Sequence, residues 1–191
     1  DLDTIAIVFA AIFAAIGLIL NVFAIRSQLK SSRTQKQIDI IMECNRRYEI
    51  ASARIRLSIS GFLDLPTEER TEEALYQRVD EAFRSYWLVY YEEWQYYSVG
   101  MVPKSFFKLW CNGLIRNFSS PSMEGFGNVQ LWYAWEKFGE SSWGYTGPFV
   151  EHIRALKKIG ELNEFARESE LEKVLLKAWK QGRRQHRELG A

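Results

Sequence analysis

The chain has 191 residues, 26% of them charged, with a net charge of +1. That near-balance argues against nucleic-acid binding over the whole surface, and 7 Trp, 9 Tyr and 12 Phe exclude a disordered chain. Two cysteines and two histidines, Cys44, Cys111, His152 and His186, share no metal-ligand spacing.

The first element is an uncharged run of 22 residues, Thr4 to Ile25. A helix rises about 1.5 Å per residue, so this run matches the roughly 30 Å hydrocarbon core of a bilayer. It is longer than the apolar core of a signal peptide, and Asp1 and Asp3 stand where a basic n-region would be. Because the first residue is Asp and not Met, the sequence is expected to continue upstream or to have been processed. The run predicts one transmembrane anchor over residues 1–30, with a domain over 31–191.

Arg26, Lys30, Arg33 and Lys36 follow the run and only acids precede it. Lys and Arg mark the cytoplasmic side, so the N-terminus is expected outside and the C-terminal domain inside. The four cations are also the expected headgroup contacts, at about 1 kcal/mol each near an anionic surface. Ala6, Ala10, Ala14, Gly17 and Asn21 recur every three or four residues and form one stripe of small residues ending in an amide. In lipid, helices associate through close backbone approach and interhelical hydrogen bonds, so this stripe is the expected helix-packing seam.

From about Gln35 to Ser60, Ile38, Ile41, Cys44, Tyr48, Ala51, Ile55 and Ser58 or Ile59 repeat at helical spacing, and the helix is expected to continue directly from the span. Gly61 and Pro66 should end it. Two start signals follow, at Thr67 and at Thr71. The next stripe is Leu75, Val79, Phe83, Trp87, Tyr90, Trp94 and Tyr97, stopped by Gly100 with Pro103 beyond. A third helix fits Pro103 to Phe118, with Phe107, Trp110, Cys111, Leu114 and Ile115 on one side. Further helices are expected at about Val129–Phe138, Phe149–Gly160 and Ser169–Gln185, with loops over 119–127 and 139–148. The fold class is all-α: a single transmembrane helix followed by an antiparallel helical bundle.

No chemistry-bearing motif emerges. A di-metal bundle needs Glu-x-x-His pairs, and none exists. The block Tyr90-Tyr91-Glu92-Glu93-Trp94 allows a carboxyl buried among aromatics with a raised pKa. The plainer expectation is that Glu92, Glu93 and Arg84 face water or bond the Trp and Tyr tips. Gly125-Phe-Gly127 lacks a phosphate-loop context and reads as a turn. The basic tail Lys177, Lys180, Arg183, Arg184, His186 and Arg187 reads as a solvated helix end. Neither catalytic residues nor cofactors nor metals are expected, and both cysteines should stay reduced on the cytoplasmic side.

The aromatic–acidic block, with Gly100-Met-Val-Pro103, Trp110, Trp132 and Trp135, resembles a broad family of bacterial proteins of unknown function. These have one N-terminal span and a small helical cytoplasmic domain. The likeness covers roughly Ser31 to Gly160 and implies a helical domain on a membrane tether, with no site residues to carry over. The expected role is a non-enzymatic accessory or assembly subunit of a membrane complex in a bacterial inner membrane. Its partners would be the membrane and other membrane-protein subunits or itself, with no nucleic acid. The alternative is a homo-oligomeric membrane-anchored sensor or defence effector.

Overall fold

A computed structural model describes residues 2–119, 134–139, 144–145 and 147–189; side chains of residues 2–17, 72, 117–119, 138, 165 and 185–189 lie outside the description. All regular elements among the described residues are helical. The chain divides into two compact units, Asp1–Asp39 and Ile40–Ala191.

Helix α1 runs from Leu2 to Leu63, and the division between units falls within it. Its length follows from composition: the first proline of the chain is Pro66, and Gly61 is absorbed just before the end. In the first unit, Gln35 Nε2 donates to Asp39 one turn on at 2.8 Å, and the Thr34 hydroxyl donates to the Lys30 carbonyl. Among the described residues, no helix is long and apolar enough to cross a membrane. Most of the run proposed as the span, residues 4–17, has side chains outside the described set.

The second unit is built around α2, Glu72–Ser98. Of the two start signals, Thr71 caps it, its side chain accepting from the Ala74 N–H at 3.1 Å, while Thr67–Glu69 forms a separate single turn of 3₁₀ helix. At the other end Gly100, at φ +78°, donates to the Tyr97 carbonyl, and the Met101 N–H reaches back to Tyr96. That is the paired-bond glycine stop expected of a helix meeting Gly and then Pro.

Helix α3, Lys104–Ser119, packs on α2, as do α5, Glu164–Leu189, and a π-helical turn, Trp135–Gly139. Helix α4, Pro148–Gly160, lies against α3 and α5. The expected helix over Val129–Phe138 falls partly outside the described residues, and the part seen is that π turn. The last helix begins at Glu164 rather than Ser169, because Asn163 caps it by accepting from the Ala166 N–H at 3.0 Å. Arg167 then ties it to its neighbour by donating to the carbonyls of Gly160 and Leu162 at the end of α4.

Trp87, Phe83, Phe107, Phe149 and Trp135 are fully buried at the centre. Each such side chain contributes about 1.5–3 kcal/mol through burial. Ala51, Ile55 and Ile59 of α1 join the same core, whereas Ile38 and Tyr48, expected on that stripe, remain exposed. Within this unit α1 runs antiparallel to α2. The Arg78 guanidinium approaches the Gly61 carbonyl at 3.4 Å, and Arg47 pairs with Glu92 at the opposite end.

Candidate functional site

In the first unit, the described part of the uncharged run is Leu18 to Ile25. Leu18, Ile19, Leu20, Val22, Phe23 and Ile25 are 44–69% exposed. At 100° per residue these six positions cover about 220° of the helix, and Asn21 and Ala24 occupy the remaining side. Of the expected seam, Ala6, Ala10, Ala14 and Gly17 lie among residues whose side chains are not described, and Asn21 is exposed. Arg26, Lys30, Arg33 and Lys36 are exposed as well.

In the second unit, the groups that carry chemistry converge inside the core. Glu93 is only 2% exposed, which corrects the expectation that both acids of the aromatic block face water or bond aromatic tips. Glu92 does reach a partner, Arg47. Burial, and then the neighbouring Glu92 charge, hold the Glu93 carboxyl well above the usual carboxylate range. A sequence signal for this existed: Glu93 lies three residues after Tyr90 and four before Tyr97, on the core face, while Glu92 is turned a further 100° away.

Beside it, burial and the Glu93 and Glu92 carboxylates push the Cys44 thiol up to about 12. Tyr90 Oη lies 3.2 Å from Cys111 Sγ and 3.5 Å from His152 Nε2. Burial lifts the Cys111 thiol to about 12 and lowers the His152 imidazole to about 3. The imidazole lies nearly parallel to the rings of Tyr90 and Phe107, and its Nδ1 has no partner among the described residues. Both cysteines are free thiols. Burial shifts Glu93, Cys44, Cys111 and His152 each toward its uncharged form, the state in which burial costs least.

The aromatic tips do not use the acids. Tyr97 Oη donates to the Leu175 carbonyl at 3.0 Å, and the indole N–H groups of Trp94 and Trp135 have no partner among the described residues. Trp110 reaches Asn45 of α1 at 3.2 Å.

Cavities lined by described residues open on the surface of this unit. One of about 200 Å³ lies between α1 and α2, one of about 30 Å³ between α4 and α5 beside His152, and one of about 480 Å³ at the start of α2 next to Lys137. None is lined by Glu93, Cys44, Tyr90 or Cys111. No group of three or more metal-ligating side chains capable of holding a metal occurs among the described residues. In the basic tail, Lys177 pairs with Glu151 at 2.9 Å and Arg183 stacks over the Trp179 ring.

No protein-family model, characterised protein or solved structure matches the chain.

Proposed function

We propose that this chain is a non-enzymatic, single-pass membrane protein that serves as an accessory or assembly subunit of a membrane complex. The observation that carries the reading is the segment Leu18–Ile25, a helix with six large apolar side chains exposed over well more than half of its circumference. It is the tail of an uncharged run that begins at Thr4 and ends at four cations, the pattern of a bilayer span with its cytoplasmic end at Arg26. The resemblance to tethered bacterial helical domains points the same way and favours an inner membrane.

The closed core supports a binding role over a catalytic one. A general acid or nucleophile must reach its substrate, and Glu93 and both thiols are buried and line none of the three cavities, while His152 borders the one of about 30 Å³. The stripe Ala6, Ala10, Ala14, Gly17 and Asn21 would seat another span.

The test is Gly17→Ile combined with Ala14→Ile. The double variant should remain in the membrane pellet after alkaline carbonate washing yet migrate as a smaller complex in mild detergent. An unchanged complex size contradicts the seam, and release of the unmodified chain by carbonate contradicts the anchor.

A further inference from the structure

Along α1, Arg47, Ile50, Arg54 and Leu57 recur every three or four residues and share one face. Opposite them on the antiparallel α2 stand Ser85 and Leu88. The two faces enclose the groove of about 200 Å³, floored by the buried Ala51 and Val89 and edged by Arg47, Ile50, Arg54, Ser85 and Leu88. Two large apolar side chains stand open at its rim, Ile50 and Leu88, each 42% exposed, and Leu57, 73% exposed, lies two turns on from Ile50 along α1. One end of the groove is closed electrically by the Arg47–Glu92 pair. At the other, Arg54 is exposed and forms no ion pair with the described residues. Arg78 stands exposed about two turns further along, opposite Gly61.

We propose that this groove is the docking site for an acidic amphipathic helix of a protein partner. Apolar pegs spaced over two helical turns match the anchors of a helix lying in a groove, at i, i+3, i+4 and i+7. The cationic rim calls for carboxylates flanking those anchors, and such charges set orientation and exclude basic partners. A patch that extends past the cavity to Leu57 is longer than a single small anion would use. The inference rests on the accessory-subunit reading, for which it supplies the cytoplasmic contact.

The test uses the full chain in its own membranes, with photoreactive p-benzoylphenylalanine placed at Leu57 or at Leu88, and at Leu176 of α5 as an exposed control. Crosslinked peptides are sequenced by mass spectrometry, with and without Arg54→Glu. The groove positions should capture a protein segment with apolar residues at helical spacing and acids between them, the control should not, and Arg54→Glu should lower the yield at least fivefold. Capture of lipid alone, capture of a basic segment, no capture, or a yield indifferent to Arg54→Glu would overturn the docking site. Native mass spectrometry of the Arg54→Glu chain separates the two levels. Persistence of a heteromeric complex with no groove crosslink leaves the subunit reading standing without this site, and a bare monomer of the unmodified chain removes both.

Discussion

Two buried groups give the second unit a characteristic response to pH. Glu93 holds its proton when folded, whereas the unfolded chain releases it above about pH 4.5, so stability falls as pH rises from there. His152 is neutral when folded down to about pH 3, whereas the unfolded chain takes up a proton below 6.5, so stability falls as pH drops from there. Each slope is about 1.4 kcal/mol per pH unit, and between the two ordinary values the slopes oppose each other. The pair therefore contributes a plateau near pH 4.5–6.5 with a decline on either side. Glu93→Gln keeps the shape and removes the alkaline decline. Relative to the unmodified protein, it should gain stability as pH rises from about 5.5 to about 8, read as a growing difference in urea midpoint. An identical pH dependence in both proteins would place the Glu93 charge in water. Which of the two adjacent acids enters the core was legible from the phase of Tyr90, Trp94 and Tyr97. Composition alone pointed the other way, because paired acids in a helix are most often on the solvated side.

Two glycines act for different reasons, and the elements they serve can be tested separately. Gly100 ends α2 with φ +78° and nothing within 4 Å of an added Cβ, so only its backbone conformation matters. Gly182 of α5 lies where a Cβ would stand 2.3 Å from Ser98 Cβ and 2.5 Å from the Ser98 carbonyl, so the crossing of α5 over the end of α2 requires its absence. Gly100→Ala should cost about 1–2 kcal/mol and Gly100→Asn less, because Asn tolerates the left-handed region. Gly182→Ala should cost about 1–3 kcal/mol despite its better helix propensity, and Asn should not rescue it. Equal behaviour of the two sites in thermal unfolding would contradict this division. The ends of α2 could be read from Thr71, Gly100 and Pro103 because capping is local. The start of α5 could not, since residues 164–170 carry mostly charge and the helix is held there by Asn163 and by Arg167 bonding back to α4. The crossing at Gly182 depends on Ser98, more than eighty residues away, which no local pattern records.

At the scale of the molecule, an apolar helical stretch and a closed aromatic core divide the work. The first exposes Leu18, Leu20 and Phe23, and the second buries its acid, imidazole and thiols. The surfaces proposed for function are the small-residue stripe of the N-terminal apolar run and the α1–α2 groove. The stripe was visible in spacing alone. The groove was not, because Ile50, Arg54, Ser85 and Leu88 fall outside the apolar stripes and gain meaning only when two antiparallel helices bring them together. The account as a whole turns on whether the chain works inside an assembly. Native mass spectrometry of the tagged full chain, extracted in mild detergent from its own membranes, tests this most directly. A defined complex of this chain with other subunits is the result the account predicts, and a bare monomer or copies of the chain alone would contradict it.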